Sequence, residues 1–92
     1  MIKLDKIIKI YNPKKANEYE ALHGVSCEIS DGEMVAIIGK SGAGKSTLLH
    51  ILGLLEQASS GVVHFDNKDV SKLSEKERTE LRRSHVGFVY QF

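Results

Sequence analysis

The chain has 92 residues, of which 41% are hydrophobic and 27% are charged, and its formal net charge at pH 7 is +1. This length permits one small domain, and the low net charge gives no electrostatic case for a nucleic-acid partner. The sequence has no secretory signal and no apolar stretch long enough for a transmembrane helix, and its single Cys27 fits a reducing compartment. We therefore expect a soluble cytoplasmic protein.

The first part of the chain is predicted to form β-strands. Charged residues interleave with apolar ones over 2–10, which is typical of a strand with one face in solvent; the apolar positions are Ile2, Leu4, Ile8 and Ile10. A second strand is expected over 21–29, after a polar, turn-rich loop at 12–17. Asp31-Gly32 then predicts a tight hairpin turn into a third strand over 33–38. The unbroken apolar run of that third strand is typical of a strand covered on both faces.

A helix is predicted next, from residue 44 or 45 to about residue 55. Its apolar residues form one broad side: Leu48, Leu49, Ile51, Leu52 and Leu55. A further strand is expected over 62–65, and the turn residues Asp66-Asn67 end it. The predicted secondary structure therefore changes from strand to helix around residues 39–47 and returns to strand at residue 62.

The last part of the chain is predicted to contain a charged helix and a final strand. Ser74 and Glu77 have the spacing of a capping box, in which each side chain bonds the backbone N–H of the other residue. The helix is expected to continue to about residue 84 and the final strand to cover 86–90. The end of the chain, 88–92, is apolar and β-prone, so we expect it to pair or aggregate unless another segment covers it.

Residues 39–47 read GKSGAGKST and match the phosphate-binding loop pattern G-x-x-x-x-G-K-[ST], between a predicted strand and a predicted helix. The glycines allow positive φ angles, so successive backbone N–H groups can surround an anion at a helix N-terminus. Lys45 can reach the β- and γ-phosphates, and the Ser46 hydroxyl can ligate Mg²⁺. A glycine-rich turn that merely caps a helix is the alternative, but such a turn does not need this lysine. The predicted nucleotide-binding residues of the loop are Gly39, Lys40, Ser41, Gly42, Ala43, Gly44, Lys45, Ser46 and Thr47.

The motifs around the loop resemble the N-terminal part of the ATP-binding domain of ABC transporters. They are, in order, Tyr11, Gly24-Val25-Ser26, Asp31-Gly32-Glu33, Ser60-Gly61 and the GFVYQ sequence at 87–91. The nearest resemblance is to the subgroup that serves lipoprotein release (the LolD type), macrolide export and cell division (the FtsE type). It implies an α/β phosphate-loop NTPase fold with an antiparallel β portion from the N-terminal strands, in which residues 1–92 form the N-terminal part of one domain and end at the Q-loop.

The same resemblance implies cofactors, partners and a location. ATP and Mg²⁺ are the expected cofactors. The expected partners are a transmembrane permease and a second ATP-binding subunit, which would place the protein at the cytoplasmic face of the inner membrane.

The resemblance also implies roles for residues outside the loop. Tyr11 matches the aromatic residue that stacks on adenine, and Tyr19, in the polar insertion before the second strand, is a competing candidate. Gln91 matches the Q-loop glutamine that helps Ser46 to coordinate Mg²⁺. Hydrolysis in the family also needs an Asp-Glu pair after an apolar strand, a switch histidine and an LSGGQ signature. None of these is found in the sequence, so we expect no hydrolysis by this chain alone.

Three functions stay open at this point. The first is the ATP-binding part of an ABC transporter that drives a membrane permease, in lipoprotein release or another export process. The second is a different phosphate-loop enzyme, such as a small-molecule kinase, and the third is a non-catalytic remnant or interaction fragment. The first is favoured over the second because two predicted strands and Tyr11 precede the loop.

Overall fold

The computed structural model describes residues 1–39, 44–87 and 89 of the chain. Its elements are β1 (Ile2–Tyr11), β2 (Tyr19–Ile29), α1 (Lys45–Leu52), β3 (Ser60–Phe65), β4 (Lys68–Asp69) and α2 (Glu75–His85). The strands form one antiparallel sheet in the order β2-β1-β3-β4. The expected antiparallel portion from the N-terminal strands is therefore confirmed. Neither helix in the described part of the chain is long and apolar enough to cross a membrane.

A bulge at Lys6 interrupts β1 and changes which of its side chains enter the core. Lys6 has a φ of 52°, and the register of β1 with β2 shifts between Leu4 and Ile7. The Lys6 N–H donates to Ser26 Oγ at 2.9 Å, which satisfies the backbone at the bulge. Leu4 and Ile7 are 1% and 0% exposed, although they are three positions apart. The predicted simple alternation, which placed Ile8 rather than Ile7 on the apolar face, is wrong for this reason.

β3 packs closely against this bulge through Gly61. The φ of Gly61 is +97°, and a Cβ at this position would lie 2.5 Å from the carbonyl oxygen of Lys6. Beyond β3, Asp66 and Asn67 have φ angles of 49° and 67°, as in a type I′ hairpin turn. The predicted turn is therefore confirmed, and it leads into β4 through the pair Phe65 and Lys68.

The hydrophobic core is formed by the sheet, α1 and the segments that follow α1 and β4. Its buried members are Leu4, Ile7, Leu22, Ile51, Leu54, Val63 and Val70. α1 contributes Ile51, which is 2% exposed. The helix ends at Leu52, earlier than predicted, because Gly53 caps it and Leu54 takes a φ of 65°.

α2 is held by a local cap and by contacts with the segment after α1. Ser74 Oγ accepts a hydrogen bond from the Glu77 N–H at 3.2 Å, and Glu77 Oε1 accepts one from the Ser74 N–H at 3.1 Å. This capping box confirms the predicted helix start. Arg82 Nη1 donates to the Leu54 carbonyl oxygen at 2.9 Å, so the charged helix is attached to the core by a polar contact.

Segment 33–38 is not a strand, contrary to the prediction. The Asp31-Gly32 turn does form, and the Glu33 N–H donates to the Ser30 carbonyl oxygen at 3.1 Å. The backbone that follows has no regular secondary structure, and Met34 and Ile38 are 98% and 92% exposed. A strand covered on both faces needs neighbouring strands, and the sheet in the described residues does not include this segment.

The predicted final strand over 86–90 is also absent from the described residues. Val86 caps the C-terminus of α2, where its N–H donates to the Arg82 carbonyl oxygen at 2.9 Å. Gly87 and Val89 have no regular secondary structure. Phe88 and residues 90–92 lie outside the described residues.

Candidate nucleotide-binding site

The start of α1 provides an N-terminus suited to an anion. Gly44, the N-cap residue, has a φ of 88° and a ψ of 10°, and its carbonyl oxygen accepts from the Leu48 N–H at 2.9 Å. Lys45 and Ser46 therefore lie in the first turn, where backbone N–H groups lack partners within the helix and the helix dipole is positive. No acidic residue lies in that turn to repel a phosphate. The predicted helix start is confirmed.

β2 positions Gly44, and the packing explains why this residue is a glycine. A Cβ at Gly44 would lie 2.6 Å from the Ala21 carbonyl oxygen and 3.0 Å from Leu22 Cδ2. The left-handed φ and the lack of space both exclude a larger residue. Gly44, within the phosphate-binding sequence, is therefore packed against the backbone of β2, an edge strand of the sheet in the described residues.

The two hydroxyl residues that follow Lys45 face different surroundings. Ser46 is exposed, whereas Thr47 is only 7% exposed. Thr47 Oγ1 lies 3.2 Å from the Tyr11 hydroxyl oxygen. The Thr47 side chain thus connects the first turn of α1 to the residue expected to stack on the base.

Tyr11 is fixed by hydrogen bonds at its hydroxyl group. The hydroxyl donates to Glu56 Oε2 at 2.8 Å, and the same carboxylate oxygen lies 3.2 Å from His50 Nδ1. Burial raises the pKa of the Tyr11 phenol above its ordinary value; the hydrogen bond with Thr47 lowers this pKa and the one with Glu56 raises it, and the net direction is upward. The phenol is therefore protonated at neutral pH and remains a donor to Glu56.

Glu56 is a residue of this site that the sequence motifs did not predict. The signal that could have indicated it is a carboxylate just beyond an apolar helix, where the helix dipole disfavours negative charge. A carboxylate in that place needs nearby donors, which Tyr11 and His50 supply.

Tyr19 lies directly against Tyr11. The two residues are opposite each other in the β1–β2 register, and their rings are stacked with centroids 5.4 Å apart and planes inclined by 26°. Tyr19 is the first residue of β2, so its predicted position in an insertion before the strand is wrong. The cross-strand pairing with Tyr11 extends β2 to this residue. The two candidate base-stacking residues thus form one aromatic pair, of which Tyr19 is 55% exposed.

The other predicted site residues are only partly described. Gly39 is exposed and has no regular secondary structure. Lys40, Ser41, Gly42, Ala43 and Gln91 lie outside the described residues. Within the ranges that are described, no cluster of three or more His, Cys, Asp or Glu side chains is arranged to hold a metal ion. Of the two residues predicted to ligate Mg²⁺, the structure therefore describes only Ser46.

The phosphate-loop sequence that leads into α1 and the antiparallel N-terminal strands define the fold as part of a phosphate-loop NTPase. A family model described as ABC transporter matches residues 22–92. The chain belongs to the ABC transporter family.

Among individual proteins of the family, the chain is similar to LolD proteins. The chain is 52% identical over 91 residues to the lipoprotein-releasing system ATP-binding protein LolD of Paramagnetospirillum magneticum, a match that covers 99% of this chain and 40% of that protein. It is 54% identical over 84 residues to LolD of Bordetella pertussis, covering 91% of this chain and 36% of that protein. The chain therefore spans about 40% of the length of these relatives.

Solved structures that are similar to this chain include ABC transporter cassettes. The dimeric structure of MJ0796, described as a bacterial ABC transporter cassette, superimposes with a TM-score of 0.91 at 42% identity. This superposition covers 99% of this chain and 39% of that one. A second dimeric structure of MJ0796, in a post-hydrolysis state bound to ADP and Pi, has a TM-score of 0.91 at 41% identity.

Proposed function

We propose that the chain forms the N-terminal ATP-binding part of an ABC transporter ATPase and that it binds Mg-ATP. The start of α1 carries this proposal: Lys45 and Ser46 follow a left-handed Gly44 in a helix turn without acidic residues. Such a helix N-terminus stabilises phosphate oxygens through backbone N–H groups and the helix dipole. The cassette MJ0796, which has this fold, is solved with ADP and Pi, which supports a nucleotide as the ligand.

The three residues that follow Gly44 have proposed roles. The ammonium of Lys45 pairs with the β- and γ-phosphates, and the exposed hydroxyl of Ser46 ligates Mg²⁺. A bound Mg²⁺ would supply positive charge that offsets part of the negative charge of the phosphates. Thr47 contributes its backbone N–H, since its hydroxyl is occupied by Tyr11. The roles of residues 40–43 in the anion nest and of Gln91 at the metal stay predictions.

The wider function is proposed from the relatives. LolD proteins about half identical to the chain are named for lipoprotein release, which supports that process as the one ATP drives. The dimeric cassette supports a second ATP-binding subunit as a partner. We propose that a transmembrane permease holds the complete ATPase at the cytoplasmic face of the inner membrane.

Measured affinity for Mg-ATP tests the nucleotide site. We expect Lys45→Ala to weaken Mg-ATP binding to the purified chain by about tenfold or more in isothermal titration calorimetry, because a charge-assisted contact to the phosphates is lost. Lys76→Ala is the matched control: it removes the same charge from an exposed position in the first turns of α2 and should leave the affinity unchanged.

Equal affinities of the wild-type chain and Lys45→Ala would contradict the proposal and favour the non-catalytic alternative. In the same preparations we expect no release of phosphate above background, since the Asp-Glu pair and the LSGGQ signature do not occur in the sequence. Phosphate release that depends on Lys45 would show that the 92 residues contain a hydrolytic group outside the family's motifs.

A further inference from the structure

Glu56 follows α1, and its carboxylate connects this helix to the end of β1. A single oxygen, Oε2, lies 2.8 Å from the Tyr11 hydroxyl oxygen and 3.2 Å from His50 Nδ1. The backbone N–H of Glu56 also donates to the His50 carbonyl oxygen at 3.2 Å. The Glu56 side chain is 28% exposed, so water competes less for these hydrogen bonds than at a fully exposed carboxylate. Glu56 thus contacts both the last turn of α1 and the last residue of β1.

The chemistry of these groups fixes the direction of each hydrogen bond. A carboxylate only accepts, so the Tyr11 hydroxyl donates its single proton to Glu56, and His50 Nδ1 donates to the same oxygen. The Tyr11 oxygen is then the acceptor for the Thr47 hydroxyl, which lies 3.2 Å away. The contacts therefore form one chain of hydrogen bonds that runs from Thr47 through Tyr11 and ends at Glu56.

This chain of hydrogen bonds holds the first turn of α1 against β1. Thr47 and His50 are three positions apart, which places both on one face of the helix. Thr47 comes directly after Lys45 and Ser46, and the backbone N–H groups of this turn lack partners within the helix. Their position relative to a phosphate depends on how the helix is held, and a binding site that is displaced by about 1 Å loses much of its affinity.

We propose that Glu56 is a positioning residue for phosphate binding, which acts through the Tyr11 hydroxyl on the first turn of α1. This inference rests on the proposed function, because it assumes that phosphates bind at that turn. In this role Glu56 does not contact the ligand. The charge of its carboxylate by itself repels phosphates, so positioning and direct electrostatics predict opposite effects when the carboxylate is removed.

The test separates the hydrogen bonds of Glu56 from its charge. Mg-ATP and Mg-tripolyphosphate are titrated separately into the wild-type chain, Glu56→Ala and Glu56→Gln. We expect Glu56→Ala to bind both ligands about threefold to tenfold more weakly, because the hydrogen-bond chain loses its last acceptor. Glu56→Gln keeps an oxygen that can accept from both donors, so its affinities should lie within about twofold of wild type.

Two results with these variants would overturn the inference. Tighter binding by both variants would show that Glu56 acts only as a nearby negative charge. Equal weakening in Glu56→Gln and Glu56→Ala would show that hydrogen-bond acceptance is not what matters at this position.

Tyr11→Phe tests the path from Glu56 to α1, since it removes the hydroxyl and keeps the ring. It should weaken both ligands about as much as Glu56→Ala does. The double variant Tyr11→Phe/Glu56→Ala should bind no more weakly than either single variant, because both substitutions break the same chain of hydrogen bonds. Additive losses would overturn the inference. Weakening of Mg-ATP without weakening of tripolyphosphate would also overturn it, since Glu56 would then not act on the phosphates.

Glu80→Ala is the matched control, because it removes the same charge from an exposed position on α2 and should leave both affinities unchanged. An equal change in this variant would assign the effect to net charge and overturn the inference. Circular dichroism checks that every variant is folded at the temperature of the titration.

Lys45→Ala separates failure of this inference from failure of the proposed function. If Lys45→Ala weakens both ligands while Glu56→Ala and Tyr11→Phe bind normally, the phosphate site stands and the assignment of Glu56 is wrong. If Lys45→Ala leaves both affinities unchanged, the phosphate loop does not bind these ligands and both proposals are overturned.

Discussion

β1 and segment 33–38 are both rich in apolar residues, yet their side chains are in opposite environments. Ile7 in β1 is 0% exposed, whereas Ile38 is 92% exposed. β1 pairs with β2 on one side and with β3 on the other, and the described residues provide no strand partner for segment 33–38. An apolar run therefore becomes a buried strand only when other segments satisfy its backbone and cover its side chains.

The largest expected effect tests this contrast directly. Ile7→Ala should lower the free energy of unfolding by about 4 kcal/mol, because it leaves a cavity in the core, and Ile38→Ala should change it by about 0.5 kcal/mol or less. Urea unfolding of the two variants measures the difference. Similar losses of stability would show that segment 33–38 packs against the core in solution.

A second prediction concerns the close approach of β3 to the bulge in β1. Gly61 and Gly24 have nearly equal φ angles of +97° and +96°, but only Gly61 has atoms within 4 Å of its missing Cβ position. Both alanine substitutions strain the backbone, so Gly61→Ala should destabilise the chain by about 1–3 kcal/mol more than Gly24→Ala. Thermal unfolding of the pair isolates the clash, and equal melting temperatures would mean that the bulge can move away from β3.

α2 differs from β1 and from segment 33–38 because residues next to its own N-terminus, Ser74 and Glu77, provide hydrogen-bond acceptors for the backbone N–H groups there. Ser74→Ala should cost about 1 kcal/mol of stability, because the Glu77 N–H loses its acceptor. Ser84→Ala is the control near the other end of the helix, where the hydroxyl contacts residues of the same helix: the carbonyl oxygens of Glu80 and Leu81 and Nδ1 of His85. Urea unfolding should place this control within about 0.5 kcal/mol of wild type. A larger loss for Ser84→Ala would show that the cap is not what stabilises α2.

The smallest expected effect is a pH dependence of the same cap. Hydrogen bonds from the Ser74 backbone N–H and, to a lesser extent, from its side chain lower the pKa of Glu77 below the ordinary value of 4.5. Ionised Glu77 therefore contributes stability above its unfolded pKa, and this contribution is lost as the pH falls through the lower folded pKa.

Melting temperatures between pH 7 and pH 3 measure this dependence. The advantage of the wild-type chain over Glu77→Gln should shrink across that interval. Glu80→Gln, on the same helix but outside the capping box, should show less change, and the same shrinkage in both variants would assign the pH dependence to the net charge of the helix.

Local signals predicted those parts of the fold that neighbouring residues stabilise. The capping box of Ser74 and Glu77, the Asp66-Asn67 turn and the start of α1 at Lys45 all involve residues a few positions apart, and the structure confirms them. The prediction of which β1 side chains face the core was wrong, because the bulge at Lys6 depends on Ser26, a residue of another strand.

In the candidate site, too, the features set by neighbouring residues could be predicted and those set by distant residues could not. The phosphate-loop pattern and the aromatic candidates could be read from residue types and spacing. The contacts of Tyr11 with Thr47 and Glu56 join residues 36 and 45 positions apart, and periodicity contains no signal for such contacts. Tyr19 was assigned to an insertion because only its pairing with Tyr11 extends β2 to that residue.

The sequence by itself therefore determined the class of the protein, since the loop GKSGAGKST and the motifs around it combine residue types that a phosphate site requires in one short segment. Only the tertiary structure decided which apolar run is buried, which tyrosine is exposed and which hydroxyl faces solvent. Those properties depend on strand pairing and on packing between distant segments, and they have no local cause in the chain.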